Sequence, residues 1–246
     1  MIKYFTNTFS TVNLYKKPST KSEVVTQMIY GESFSISQKK NKWLKIKIKE
    51  DNYKGYIQNK NYSEYLKSTH KVNKLNAKIY KFSNKQVKIN EFTFGSQIKV
   101  INKKFQFYKF ARGWINKDDL SKISVKEKNY FKKIIIFKNI RYKWGGKSFK
   151  GIDCSALIQV CLNFNNIFCP RDARDQVKYF KKNIKLNKIK KNDIIYWKDH
   201  VAVALNNKKL IHAYGPMKKT VIMGIHQTIR RINETANLKV IGIKRL

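Results

Sequence analysis

Cys154, His200 and His212 are the residues of this chain whose types and spacing suit nucleophilic chemistry. A thiol attacks as the thiolate, and a helix N-terminus favours that form through its unpaired amides and the positive end of the helix dipole. The run Gly151-Ile152-Asp153-Cys154-Ser155 predicts such a start. Asp153 is a capping residue, Ser155 can satisfy a neighbouring amide or touch a substrate, and Leu157, Val160, Cys161 and Phe164 follow as a buried stripe. Imidazole is the matching base. His200 opens one expected strand (200–205) and His212 lies near the end of the next (209–213), with Asn206-Asn207-Lys208 between them. A three-residue loop pairs Leu205 with Lys209, which sets Ala202 opposite His212 and Tyr214 opposite His200. Both rings then share a face as diagonal neighbours, about 7–8 Å apart at Cα. A two-residue turn sends one of them to the other face. The opposite face, Val201, Val203, Leu205, Ile211 and Ala213, is apolar and suited to cover helices. The thiol therefore meets both rings only where the helix start overhangs the sheet edge.

The elements that must hold these residues come last in the chain. Residues 9–66 alternate short β-prone pieces (12–15, 24–28, 33–36, 43–48, 55–57) with polar turns, the pattern of a small all-β barrel. A similar rhythm recurs over 70–123 (77–80, 89–94, 97–101, 105–110, 113–115), which reads as a weak internal duplication. From 124 the pattern changes. Tyr130, Phe131, Ile134, Ile135, Phe137 and Lys138 fall at helical spacings, Gly145-Gly146 closes that segment, and the Cys154 helix precedes strands at 193–197, 200–205 and 209–213. The expected organisation is a barrel at 1–67, a second at 68–123, and an α+β domain at 124–246 with helices segregated before a sheet.

Composition bounds the partners. The chain has 246 residues and a net charge of +39, but arginine supplies only seven of its 54 basic residues. Readers of phosphates and base edges favour the planar arginine fork, so specific nucleic-acid binding is not expected, although acidic ligands are drawn in electrostatically. No apolar run approaches the roughly 20 residues of a membrane span. The first residues lack the continuous apolar segment of a secretory signal, so a cytoplasmic protein is expected. Cys154, Cys161 and Cys169 are odd in number and lack a Cys-x-x-Cys pair; Cys161 and Cys169 read as small buried residues, and no metal or cofactor is expected.

Five motifs in order resemble the NlpC/P60 cysteine peptidases: Tyr142-Lys143-Trp144-Gly145-Gly146, Gly151-Ile152-Asp153-Cys154-Ser155, Asn192-Asp193-Ile194-Ile195-Tyr196-Trp197, His200-Val201-Ala202 and Ile211-His212-Ala213. The likeness covers residues from about 134 onward, and the upstream segments resemble bacterial SH3 domains. Within the family the similarity is greatest to cytoplasmic γ-D-glutamyl-L-diamino acid endopeptidases of the dipeptidyl-peptidase VI type. It implies a papain-like catalytic domain behind two SH3-like barrels. It also implies Cys154 as nucleophile, His200 as general base, His212 as orienting residue and Tyr142 as an oxyanion donor. Asp153 and Ser155 line the substrate pocket, and Asp172 binds the substrate's free amino terminus. The implied substrate is a murein-derived peptide, L-Ala-γ-D-Glu-diamino acid, with cell-wall peptide recycling as the role. A non-catalytic peptidoglycan-binding protein using the barrels is the rival reading. Ala156, Asn192 and Asp199 stand where the family has glycine; Asp199 is expected to raise the His200 pKa. Glu50 and Asp51 are the barrel carboxylates considered for closing the pocket.

Overall fold

The structure is a computed structural model that describes residues 2–246. The chain divides into two compact units: Met1–Lys126 with Lys147–Phe149, and Glu127–Gly146 with Lys150–Leu246.

The first unit is built from β-sheet. One sheet runs in the order Val24–Ile29, Thr11–Tyr15, Lys54–Gln58, Trp43–Ile48, Ser33–Lys40, then Tyr4–Thr6 and Ser63–Glu64. A second runs Lys88–Thr93, Asn76–Tyr80, Gly113–Asn116, Phe107–Phe110, Asn102–Lys104. The repeat read from the sequence is visible here as topology. In the first sheet Thr11–Tyr15 pairs with Val24–Ile29 and with Lys54–Gln58, and in the second Asn76–Tyr80 pairs with Lys88–Thr93 and with Gly113–Asn116, so one spatial order occurs twice. Each sheet has its own apolar core, one around Leu14, Met28, Phe34, Ile46 and Ile57 and the other around Ile79, Phe92, Phe110 and Ile115. Strand 97–101 is shorter than expected, at Gln97–Ile98, and Phe105 is an exposed turn residue at φ 49° instead of the start of a strand.

This unit buries charge. Lys147 Nζ pairs with Glu32, both almost fully buried. The Glu50 carboxylate accepts from the Ser33 N–H at 2.9 and 3.2 Å, and Asp51 Oδ1 accepts from the Tyr53 N–H at 2.9 Å. Burial, reinforced by the neighbouring Glu32 charge, pushes the Glu50 carboxyl up to about 8.

In the second unit, helices α1 (Cys154–Phe164), α2 (Ala173–Tyr179) and α3 (Ile225–Ala236) accompany an antiparallel sheet ordered Lys182–Asn183, Gly242–Arg245, Ile194–Trp197, His200–Ala204, Lys209–Tyr214, Lys219–Gly224. α1 is buried nearly all round, beyond the single stripe expected of it. The Ala202, Ala204, Leu210 and Tyr214 face of the sheet packs with Ile225 and Ile232 of α3. Cys161 and Cys169 are buried.

The helix expected from Tyr130 to Lys138 is not formed. Turns lead into one short 3₁₀ segment, Ile134–Phe137. Three consecutive β-branched isoleucines lose rotamer freedom in a helix, Lys133 gives no side-chain cap, and Asn139 enters the left-handed region at φ 68°.

Candidate active site

Asp153 makes the start of α1. Its Oδ1 accepts the Ala156 N–H at 2.8 Å, the N-cap bond expected from the sequence, and its Oδ2 accepts the Gly145 N–H at 2.9 Å. Gly145 sits at φ 68°, a left-handed conformation suited to glycine, and this turns its amide toward the carboxylate. The loop holding Tyr142 is fixed alongside: Tyr142 forms a parallel bridge with Ile152, and its N–H donates to the Lys218 carbonyl at 2.8 Å. Tyr142 thus lies beside the strand that delivers Asp153 and Cys154.

The histidines obey the three-residue loop. Val203 pairs with Ile211, Ala204 with Leu210, and the Leu205 N–H donates to the Lys209 carbonyl at 2.8 Å. His200 Nε2 and His212 Nδ1 are 2.8 Å apart. Tyr214 stacks on the His212 ring at 4.7 Å, and Trp197 stands 5.6 Å from His200.

The sheet carries its rings on the α3 face, yet the thiol reaches the start of the same strand. Cys154 Sγ lies 4.0 Å from the Asp199 carbonyl oxygen and against the Val201 N–H. Those two backbone groups flank His200. Because Nε2 of His200 is engaged by His212, the nitrogen left for the sulfur is Nδ1, which is the one nearer the backbone.

His212 fixes which nitrogens carry protons. Its Nε2 is 3.5 Å from the Met223 thioether sulfur, which has no proton to give, so in a hydrogen bond there Nε2 is the donor. Nδ1 of neutral His212 is then an acceptor, His200 donates from Nε2, and Nδ1 of His200 holds a lone pair for the thiol proton.

Residues 139–235 match the NlpC/P60 family, and residues 14–61 match the bacterial dipeptidyl-peptidase SH3 domain. The chain carries an NlpC/P60 domain. It is homologous to dipeptidyl-peptidase 6 of Lysinibacillus sphaericus, 38% identical over 72 residues that make 29% of this chain and 27% of that protein. It is likewise homologous to γ-D-glutamyl-L-lysine dipeptidyl-peptidase of Bacillus subtilis (strain 168), 25% identical over 238 residues, 85% of this chain and 79% of that protein. The fold matches the crystal structure of an NlpC/P60 family protein from Bacillus cereus ATCC 10987, with TM-score 0.79 at 16% identity over 98% of this chain and 99% of that one. The fold is the α+β one expected, with SH3-like sheets before the papain-like NlpC/P60 domain.

Electrostatics in the NlpC/P60 domain favour neutral partners. Burial first, then the Asp153 charge, pushes the Cys154 thiol up to about 12; the Val201 and Ser155 amides and Arg171 act the other way without prevailing. Burial pushes His200 down to about 4 even though part of its surface stays open, and burial with the His200 neighbour takes His212 well below its usual range. The expectation that Asp199 raises His200 is therefore corrected: desolvation by the surrounding rings sets the direction. Burial, with Cys154 and Asp153 adding to it, keeps the Tyr142 phenol protonated and able to donate.

The residue that sequence reasoning missed is Arg171. Its guanidinium grips both oxygens of Asp153, Nη1 to Oδ1 at 3.0 Å and Nη2 to Oδ2, and Nη1 also reaches Ser155 Oγ at 2.8 Å. Asp153 and Ser155 are thereby engaged inside the NlpC/P60 domain in a buried cluster. Asp172 follows Arg171 directly. It N-caps α2 without a side-chain cap bond, and its half-buried carboxylate lies 3.6 Å from Arg174 Nη2. Gln176 Nε2 donates to the Ser155 and Pro170 carbonyls at 3.0 and 2.9 Å, tying α2 to the start of α1. The available signal was scarcity. In a lysine-dominated chain, Arg171 and Arg245 both form two-point forks on aspartate, the second on Asp193.

Proposed function

We propose that this protein hydrolyses the γ-D-glutamyl–diamino acid bond of murein peptides that have a free N-terminal L-Ala. The observation that carries the reading is the imidazole pair, 2.8 Å apart, with the Cys154 sulfur against the backbone on both sides of His200.

The site rests as thiol and neutral imidazole. As Cys154 Sγ attacks the γ-carbonyl of D-glutamate, its proton passes to Nδ1 of His200, and His212 accepts the hydrogen bond that steadies the imidazolium. The C–S bond forms while the carbonyl π pair moves to oxygen. The Cys154 N–H and the Tyr142 hydroxyl are the donors for that oxyanion. His200 then gives its proton to the departing diamino-acid nitrogen as the C–N bond breaks. Water, deprotonated by the same imidazole, releases L-Ala-γ-D-Glu from the thioester. Asp172 offers its carboxylate to the substrate's ammonium, and the +39 charge of the chain attracts the substrate's carboxylates. Homology to γ-D-glutamyl-L-lysine dipeptidyl-peptidase supports this substrate class.

The test is incubation with L-Ala-γ-D-Glu-L-Lys and with its N-acetylated form, following lysine release. Release from the first and much less from the second is expected. Equal release from both removes the amino-terminal recognition, and release from neither removes the activity.

A further inference from the structure

The second unit has a cavity whose cations take no part in the proposed hydrolysis, although one of its walls, Met223, also touches His212. It is an open groove of about 470 Å³ along the Lys219–Gly224 strand, the outermost strand of its sheet. Lys138, Lys209, Lys219 and Arg231 line it, and no carboxylate is among its lining residues. Among the described residues none of these four cations has a carboxylate within ion-pair distance. Apolar contact comes from the half-buried Met223 and from Val221.

The strand edge inside this cavity is open. Thr220 donates to the Ile140 carbonyl at 2.7 Å and accepts the Asn139 N–H at 2.9 Å, so its backbone groups point away from the Lys209–Tyr214 strand. Backbone direction alternates along an antiparallel strand, so Ile222, two residues on, points the same way. The covering segment ends before it, because Asn139 turns into the left-handed region. The N–H and C=O of Ile222 therefore face the cavity without a backbone partner among the described residues. Exposed edges of this kind accept an added strand, whose backbone supplies affinity and whose side chains supply specificity.

We propose that this cavity binds an extended, carboxylate-rich peptide segment that pairs with Ile222 and sets its acidic side chains against Lys138, Lys209, Lys219 and Arg231. The commitment to an acidic occupant rests on charge: four cations converge there with none of the opposite sign. The commitment to a peptide rests on the unpaired Ile222 N–H and C=O, which point from a strand edge in the same direction and at the spacing at which the C=O and N–H of one residue of an added strand meet them.

The probe is a peptide of four Glu-Val repeats, acetylated and amidated so that it offers no free amino terminus to the active site. Its binding to the full chain is followed by calorimetry and by amide hydrogen exchange. Reversing Lys209→Glu with Arg231→Glu is expected to weaken binding at least tenfold. Reversing Lys190→Glu with Lys191→Glu, exposed lysines outside the cavity, is expected to change it less than twofold. The Ile222 amide is expected to gain protection when the peptide is bound. Should the first pair fail to fold, as read by its melting curve, Lys209→Gln with Arg231→Gln takes its place. Equal losses from both pairs assign the binding to diffuse charge and overturn the proposal. So does an Ile222 amide indifferent to peptide, full displacement by equimolar inorganic phosphate, or no binding at all.

Discussion

Ringed by Trp197, Tyr214 and His212, the His200 imidazole accepts a proton only near pH 4, while burial holds the Cys154 proton until about pH 12. A preformed thiolate–imidazolium pair is the higher-energy arrangement here, so the proton moves during attack. The base must be neutral to act, and the acid limb of kcat/KM, which reports groups of the substrate-free enzyme, therefore follows His200. The expected profile stays flat through mildly acidic pH and falls tenfold per unit only near about pH 4; a limb at the ordinary histidine value contradicts the neutral pair. Tyr142 tests the oxyanion assignment. Tyr142→Phe removes one donor and is expected to lower kcat about 10²–10³-fold with the melting temperature little changed. A kcat within twofold of the parent takes the phenol out of the reaction.

The elements bring these side chains together through buried polar contacts that periodicity does not reveal. Arg171 holds the N-terminus of α1 by gripping Asp153, and both partners are nearly fully buried. Arg171→Met strands the Asp153 charge, which is expected to cost about 3–5 kcal/mol in urea unfolding; a loss below about 1 kcal/mol, the scale of an exposed pair, contradicts a structural role. What the sequence made legible were features carried by period and turn chemistry. The Asn206-Asn207-Lys208 loop set the register of the histidines, alternation marked the Trp43–Ile48 strand, and Asp153 announced the helix start. The 130–138 segment misled because apolar residues at helical spacing do not overcome three β-branched neighbours and a missing cap. Arg171 and the Met223 contact stayed hidden because each depends on residues 11 to 18 positions away meeting in space.

At the scale of the whole molecule, burial of charge couples folding to pH in two opposed ways. Glu50 keeps its proton in the folded protein up to about pH 8 against an ordinary 4.5. The folded state then binds more protons than the unfolded chain across that window, so this contribution is complete below pH 4.5 and is lost as pH rises through 8. His200, held at about 4 against 6.5, gives stability that is present above pH 6.5 and lost as pH falls toward 4. Glu50→Gln is expected to flatten the decline on the alkaline side in urea melts taken across pH, and an unchanged slope removes Glu50 as its source. The reaction itself is tested most directly by trapping its intermediate. Rapid acid quench of the protein mixed with L-Ala-γ-D-Glu-L-Lys, followed by peptide mass mapping, is expected to find the L-Ala-γ-D-Glu acyl group on Cys154 in the parent and neither adduct nor lysine release in Cys154→Ala. Lysine release by Cys154→Ala at a rate near the parent's would contradict the account.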